Sequence, residues 1–240
     1  MQIFYSTQIS NNTIWLVGDE FNHCKNVLRL KNGEEVKVAD GKGNFYECKI
    51  GSFTKEKAEL HIICISETSL RINNFTLQIS IAPTKNIDRI EWFVEKAVEI
   101  GVDEISFLVS KRCERKIINI ERLEKIAVSA MKQSGKAWLP TLNALVPFEK
   151  YIDNQANKGV KLIAHLVEGQ QREELKDALL KYINQETSFE LLIGPEGDFT
   201  PDEVNLALKK GYIPVSLGTS RLRTETAGVM GCAIFSVVLG

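Results

Sequence analysis

The residues FELLIGPEGDFTPDE (189–203) run from an apolar strand through a glycine-bracketed loop into a helix. Thr200 is the predicted N-cap of that helix, with Pro201 at the first helical position and Glu203 at the third, the pattern of a capping box. Ligands bind α/β sheets at the carboxyl ends of parallel strands, and glycine lets a ligand approach the backbone closely. The stretch therefore predicts a ligand-binding loop; the alternative is that its two glycines serve only the turn.

Strands and helices alternate on both sides of this stretch, from about residue 75 to the C-terminus. Asp88 and Glu91 have the spacing of a capping box at the start of one helix. Because strands that alternate with helices form parallel crossovers, an α/β fold with a parallel sheet is predicted. The predicted strands are 76–83, 102–110, 160–167, 189–194 and 213–218, and the predicted helices are 90–100, 120–136, 172–183 and those that begin at 200 and after 224.

The first 70 residues have a different pattern. EEVKVAD (34–40) alternates apolar and polar residues, turn residues follow at 41–44, and AELHIICIS (58–66) is a further strand candidate. Short strands without helical periodicity predict a small β-barrel or sandwich. With the polar stretch 67–74 as a linker, we expect two domains, residues 1–70 and 75–240.

Composition excludes several classes of protein. The 30 Lys and Arg residues balance 31 Asp and Glu, and 44% of the residues are hydrophobic, as in globular proteins. No apolar stretch is long enough for a membrane span, and the first residues lack the pattern of a signal peptide, so a cytoplasmic location is expected. The five cysteines are scattered without a C-x-x-C pair, which predicts neither a disulfide framework nor a metal site.

Positive charge is concentrated between residues 111 and 138, which hold eight basic and three acidic residues. On a chain with a formal net charge of −1, such a patch fits a surface that meets phosphates. A solvated helix face explains the same charges, so both interpretations stay open.

A second loop, LGTSRLRTETA (217–227), also follows a predicted strand and leads into a helix rich in small residues. Two such strand-end loops are expected to converge on one pocket. Neither loop matches the dinucleotide fingerprint G-x-G-x-x-G or the phosphate loop G-x-x-x-x-G-K-S/T. Hydride transfer and P-loop nucleotide hydrolysis are therefore not expected.

Both loops resemble motifs of the ribosomal RNA small subunit methyltransferase E family, in the knotted SPOUT superfamily of methyltransferases. Segments 23–36, 82–102 and 129–140 extend the resemblance in order over nearly the whole chain. The sequence departs from the family at Asp198, where glycine is frequent, at Lys136, where arginine is expected, and at Arg221, where an apolar residue is usual.

The resemblance implies a PUA-like β-barrel that helps to hold RNA, followed by an α/β domain with a deep trefoil knot. It implies S-adenosylmethionine as the methyl donor, no metal, a homodimer, and methylation of N3 of one uridine in 16S rRNA of the small ribosomal subunit. The donor-binding residues that it implies are Leu166, Ile193, Gly194, Pro195, Glu196, Gly197, Leu217, Gly218, Leu222, Arg223, Thr224, Thr226 and Ala227.

Two of these residues are candidates for a role in the reaction. Arg223 is predicted to stabilise the negative charge that develops on the uracil oxygens, because it keeps its own charge in the donor loop. Glu196 is predicted to contact the donor, to brace its loop or to act as a general base. The alternatives are a salt bridge between Arg223 and Glu225 or Glu196, and a capping role for Thr224 and Thr226.

Nine residues form the predicted RNA track: His23, Arg29, Lys31, Lys85, Arg89, Arg112, Arg115, Gln133 and Lys136. His165, on an apolar strand, is interpreted as a core histidine rather than a catalyst. Three other functions stay open: an RNA-binding protein with an inactive knot, a knotted methyltransferase acting on tRNA, and a generic α/β metabolic enzyme.

Overall fold

The structure, a computed structural model, describes residues 2–68, 75–154, 159–183, 185 and 187–240. The chain divides into two compact units: Met1–Ile72 with Val128–Leu139, and Asn73–Ala127 with Pro140–Gly240. The second part of the first unit contains the last residues of a helix that begins in the second unit. The domain boundary predicted at 70–75 falls on residues that the structure describes only in part, and it stays a prediction.

The first unit is built on a six-stranded sheet with the order β1-β4-β5-β6-β3-β2. All its strand pairs are antiparallel except β1 with β4. Its core contains Phe4, Leu16, Val38 and Leu60, which are fully buried on alternate positions of their strands. The strands are β1 (Ile3–Tyr5), β2 (Ile9–Ser10), β3 (Thr13–Val17), β4 (Glu35–Ala39), β5 (Asn44–Phe53) and β6 (Lys57–Thr68).

The strand-only prediction for residues 1–70 is wrong between β3 and β4. Helix α1 (Gly18–Asn22) continues there into a π-helical turn, His23–Val27. Arg29 follows two residues after the turn, its φ of 55° lies in the left-handed region, and Leu30 N donates to Cys24 O at 3.1 Å. Arg29 thus takes a position at a helix end where glycine is usual, which hydrophobic periodicity does not reveal.

The second unit is built on a seven-stranded sheet with the order β11-β13-β10-β12-β7-β8-β9, and all its pairs are parallel. The predicted α/β class, with a parallel sheet and a separate β unit, is confirmed. The strands are β7 (Phe75–Ile81), β8 (Glu104–Val109), β9 (Thr141–Pro147), β10 (Val160–Ala164), β11 (Glu173–Glu174), β12 (Thr187–Ile193) and β13 (Ile213–Ser216).

Several elements that follow these strands differ from the prediction, and the predicted helices 90–100 and 120–136 are observed as 87–100 and 120–133. The N-cap of α2 is Asn86, whose side chain accepts from Asp88 N at 3.1 Å, so the capping box predicted at Asp88 and Glu91 is wrong. The predicted helix 172–183 shortens to α5, and β9 with α4 was not predicted. The helices are α2 (Ile87–Ile100), α3 (Ile120–Gln133), α4 (Phe148–Asn154), α5 (Leu175–Leu180), α6 (Pro201–Lys209) and α7 (Thr224–Leu239).

Helix α7 packs closely on the sheet because it presents glycine there. A Cβ at Gly228 would lie 2.5 Å from the ring of Phe93 on α2, and one at Gly231 would lie 2.6 Å from Leu191 on β12. Side chains at these positions would force the helix away from the sheet. Across the described residues, no helix combines the length and the apolar character needed to cross a membrane.

A buried polar cluster joins β7, β12 and α4 below the strand ends. Glu190 accepts from Ser80 Oγ at 2.9 Å and from Tyr212 OH at 2.7 Å, and also from Tyr151 OH. Burial raises the pKa of the Glu190 carboxyl, and the hydrogen bonds from these hydroxyls oppose that shift. Satisfying every member of such a cluster fixes the strands in one arrangement.

Candidate functional site

The sheet order brings three strand-end loops together. Strand β10 lies between β12 and β13 and runs parallel to both, so the loops that follow these strands leave from the same edge. They enclose a pocket of about 280 Å³. We name them by their sequences: the His165 loop (165–172), the GPEG loop (194–199) and the Arg223 loop (217–223).

The pocket gathers most of the residues that were predicted to bind a donor. Only Gly197 and Thr226 of that set do not line it. The lining residues that sequence reasoning did not assign lie within a few positions of assigned ones, and they are Ala164, His165, Arg172, Asp198, Val215, Ser216, Ser220 and Arg221. Their position in the three loops or at the ends of β10 and β13 could have signalled them, whereas their side-chain direction could not be read from the sequence.

The GPEG loop is held from outside the pocket by two contacts. Glu196 Oε1 accepts from Lys85 N at 3.0 Å, and Arg112 Nη1 donates to Gly197 O at 2.8 Å. Gly197 also packs on the aliphatic part of Arg112, because a Cβ there would lie 3.2 Å from that side chain. The loop therefore depends on residues of the segments that follow β7 and β8.

The GPEG loop leads directly into α6 through the predicted capping box, which is confirmed. Thr200 Oγ1 accepts from Glu203 N at 3.3 Å, and Glu203 Oε2 accepts from Thr200 N at 2.8 Å, with Pro201 at the first helical position. Glu203 also accepts from Lys111 N at 2.7 Å. The helix start thereby anchors one end of the loop.

The His165 loop is held by side chains at three successive backbone groups. Arg172 Nη1 donates to His165 O, and Val167 N donates to His165 Nδ1 at 3.1 Å. Asp198 Oδ2 accepts from Leu166 N at 2.7 Å. Because Nδ1 accepts, the proton of the neutral imidazole lies on Nε2, which is buried and has no hydrogen-bond partner among the described residues.

Arg223, the residue that gives the Arg223 loop its name, forms no ion pair with a described carboxylate. Arg223 is exposed, and the nearby carboxylates are engaged elsewhere: Glu225 lies 3.7 Å from Arg89, and Glu196 holds the Lys85 amide. The salt bridge considered for Arg223 is therefore wrong for the described part of the chain. The guanidinium faces the pocket rim with its charge available.

The two threonines at the start of α7 do not cap it. The N-cap is Arg223, without a side-chain cap hydrogen bond. Thr224 lies one position inside the helix and donates from Oγ1 to Gly194 O at 3.0 Å, so the capping role considered for Thr224 and Thr226 is wrong. That hydrogen bond joins the Arg223 loop to the GPEG loop.

The residues of the predicted RNA track fall in both units. In the first unit, Arg29, Lys31 and Gln133 are exposed, whereas His23 and Lys136 are half-buried.

In the second unit, the basic residues of the track engage the protein itself. Lys85 pairs with Glu114 at 2.9 Å. Arg115 donates from Nη2 to Lys85 O at 2.7 Å and from Nε to Thr84 O at 3.1 Å. Arg112 donates to Gly197 O, and Arg89 lies beside Glu225. These basic side chains therefore support the loops around the pocket.

No group of three or more His, Cys, Asp or Glu side chains suited to a metal ion occurs within the described ranges. All five cysteines are free thiols. The lining of the pocket presents carboxylates, guanidinium groups, backbone polar groups and apolar side chains.

Two family profiles match this chain. The profile described as RNA methyltransferase domain matches residues 71–236, and the profile described as RNA methyltransferase PUA domain matches residues 16–63. A curated relative, Ribosomal RNA small subunit methyltransferase E from Mesomycoplasma hyopneumoniae, is 30% identical and covers 95% of this chain and 96% of its own length.

Solved structures resemble the whole chain. A probable rRNA-methyltransferase from Porphyromonas gingivalis has 39% identity and a TM-score of 0.89, covering 100% of this chain and 98% of that one. A Ribosomal RNA small subunit methyltransferase E from Neisseria gonorrhoeae bound to S-adenosyl methionine has 28% identity and a TM-score of 0.82, with coverage of 100% and 98%.

The buried state of His165 predicts how stability depends on pH. Burial lowers the pKa of His165 below its ordinary value, Asp198 opposes this, and Arg172 reinforces it. The unfolded chain then binds a proton near pH 6.5 that the folded chain binds only at lower pH. The His165 contribution to the free energy of unfolding is therefore present above about pH 6.5 and is lost as the pH falls toward the folded pKa.

Urea unfolding of the wild type and of His165→Gln between about pH 7.5 and about pH 5 measures this contribution. The wild type is expected to lose more stability over that window than the variant, which has no imidazole to protonate. Parallel losses in the two proteins would mean that His165 titrates alike in the folded and unfolded chains.

Proposed function

Because the chain belongs to the ribosomal RNA small subunit methyltransferase E family, we propose that it methylates N3 of a specific uridine in 16S rRNA with S-adenosylmethionine as donor. The observation that carries the proposal is the pocket, where the His165, GPEG and Arg223 loops meet. The substrate is the rRNA of the small ribosomal subunit, and the reaction belongs to ribosome biogenesis in the cytoplasm.

The lining of the pocket fits the proposed donor. A Cβ at Gly218 would meet no atom within 4 Å, so the Gly218 backbone faces open space that an adenine edge can approach. Leu166, Leu217 and Leu222 supply apolar surface for the ring, and the carboxylates of Glu196 and Asp198 suit a cationic molecule. The proposed donor site comprises the residues that the resemblance implies, of which Gly197 and Thr226 do not line the pocket.

When bound, the donor supplies an electrophilic methyl group on sulfur. The task of the protein is to align the uracil N3 in line with that group and to assist loss of the N3 proton. Loss of the proton spreads negative charge onto the ring oxygens. We assign Arg223 to those oxygens, because it lies at the pocket rim, keeps its charge and is not engaged by a described carboxylate.

Glu196 is proposed to orient the GPEG loop. Its Oε1 holds the Lys85 amide at 3.0 Å, so one carboxylate oxygen is committed to the loop. The exposed side chain leaves the other oxygen available for the donor. This arrangement supports a positioning role more directly than a role as general base.

RNA binding is proposed to involve the first unit, where a PUA profile matches residues 16–63. Arg29 and Lys31 are exposed there, and Arg29 is held at a fixed backbone angle by the end of the π-helical turn. Exposed basic side chains of this kind can contact RNA phosphates, and such contacts make the affinity for RNA depend on salt concentration. His23, Gln133, Lys136 and the four basic residues of the second unit complete the proposed track.

Homodimerisation is proposed through the outer face of α7. Met230 and Val237 are 39% and 83% exposed on a helix that is mostly apolar after its first turn, and Thr226 and Ala233 lie on the same face at helical spacing. An apolar stripe of this kind is typical of a protein interface. A charged RNA backbone does not complement this apolar face, whereas the same apolar face of a second copy of α7 does.

A trefoil knot is proposed for the second unit, with the domain boundary near 70–75. The support is the path of α7, which leaves β13 on one side of β10 and packs on α2 and β7, beyond β12. Such a return across the sheet is what a threaded C-terminal segment requires.

Arg223→Ala is expected to reduce single-turnover methylation of small-subunit RNA by about 10²–10³-fold, the loss typical of removing one transition-state donor. Donor affinity, measured by titration calorimetry without RNA, is expected to change little. Arg223→Lys keeps the charge and is expected to recover part of the rate. Undiminished turnover in Arg223→Ala would remove the assigned role.

The double variant Arg29→Ala/Lys31→Ala is expected to bind small-subunit RNA more weakly, with a logarithmic salt slope reduced by about 1 for each residue. Fluorescence anisotropy over a range of salt concentrations measures the slope. Lys209→Ala/Lys210→Ala removes the same charge from the end of α6 and is the control. Equal slopes in the wild type and the first variant would argue against a phosphate contact.

Val237→Asp is expected to convert a dimer into monomers, because it buries an unpaired charge in the proposed interface. Sedimentation velocity measures the change. Ile117→Asp is the matched control, since Ile117 is an aliphatic residue of similar exposure, 81%, outside α7. A dimer that survives Val237→Asp, or a monomeric wild type, would contradict the proposed interface.

A further inference from the structure

Asp198 occupies a backbone conformation that an aspartate adopts rarely. Its φ of 62° lies in the left-handed region, where residues other than glycine are uncommon and where aspartate, with its short polar side chain, is better tolerated than most. Such conformations persist when surrounding contacts enforce them, and they concentrate at functional sites. The contacts of the Asp198 side chain supply such a constraint.

Both carboxylate oxygens of Asp198 accept backbone hydrogen bonds, from two different loops. Oδ1 accepts from Phe199 N at 2.8 Å within the GPEG loop, and Oδ2 accepts from Leu166 N at 2.7 Å in the His165 loop. The carboxylate therefore connects loops that follow two neighbouring parallel strands, 32 residues apart in the chain. It also lines the pocket.

Two other contacts hold the backbone near Leu166 from within the loop, and at the far end of the loop the Gln170 side chain donates from Nε2 to Asn205 Oδ1 on α6 at 3.2 Å. Arg172 and His165 hold the backbone at His165 O and Val167 N, but they cannot fix the loop relative to its neighbours. Among these backbone groups, the Leu166 amide is the one that donates a hydrogen bond to a different loop, at Asp198. Leu166 is 47% exposed and lines the pocket, so the position of this amide sets one wall.

We propose that Asp198 is a positioning residue for the donor, a clamp that joins the His165 loop to the GPEG loop and fixes the Leu166 wall. The inference rests on the proposed donor. It assigns a role to a position where the sequence departs from its family, and the role requires a carboxylate. An asparagine offers one acceptor oxygen to two N–H groups, and a glycine offers none.

The direct test follows the Leu166 amide and donor binding in Asp198→Asn. Amide hydrogen exchange measured by NMR without donor is expected to be about tenfold faster at Leu166, because its acceptor is lost. Calorimetry is expected to give dissociation constants about tenfold higher for S-adenosylmethionine and for S-adenosylhomocysteine alike. RNA affinity is expected to stay unchanged, which a general loss of structure would not allow.

Asp202→Asn is the matched control, because it removes the same charge at a position four residues after Asp198. The Asp202 side chain is 85% exposed. This variant is expected to leave both readouts unchanged. Asp198→Gly is the second variant, because glycine accepts the left-handed angle without strain. It is expected to fold at least as well as Asp198→Asn and to show the same loss of donor affinity.

Two results would overturn the clamp. Unchanged exchange at Leu166 in Asp198→Asn would mean that the hydrogen bond does not hold the loop. Loss of affinity for S-adenosylmethionine alone would mean that the carboxylate acts by its charge on the sulfonium. A wild type that binds no donor would instead refute the proposed function, while exchange at Leu166 would still decide whether Asp198 holds the loop.

Discussion

The parallel pairing of β10 with both β12 and β13 is the constraint on which the pocket depends. Parallel strands release their following loops at one edge, so three loops from distant parts of the sequence meet there. The packing of α7 reinforces this arrangement, because Gly228 and Gly231 bring its backbone close to α2 and β12. The Arg223 loop, which immediately precedes α7, is thereby held against the GPEG loop.

Side chains then hold the loops by their backbone groups. Asp198 joins the His165 loop to the GPEG loop, and Thr224 joins the GPEG loop to the Arg223 loop. From outside the pocket, Glu196 and Arg112 tie the GPEG loop to the segments after β7 and β8. Against this background of committed polar groups, the exposed guanidinium groups of Arg221 and Arg223 line the pocket without pairing with a described carboxylate, which leaves Arg223 available for the proposed role.

The sequence supports the α/β class, the order of most elements and the capping box at Thr200, because strand–helix alternation and helix starts are local patterns. Helix α1 and the π-helical turn were missed because tertiary packing, rather than periodicity, sets them. Strand β9 has no buried residue, and its apolar residues do not alternate regularly with polar ones, so it lacks the pattern of a half-buried strand. The roles of Arg112 and Asp198 depend on contacts made across the fold, so spacing along the chain could not reveal them.

Transfer of a labelled methyl group from S-adenosylmethionine to small subunits that lack this modification is the most direct test of the proposed function. The 16S rRNA is digested to nucleosides and the labelled product is identified by mass spectrometry. The proposed function predicts label in 3-methyluridine from a single position. Label in another nucleoside, or none from protein that binds the donor, would contradict it.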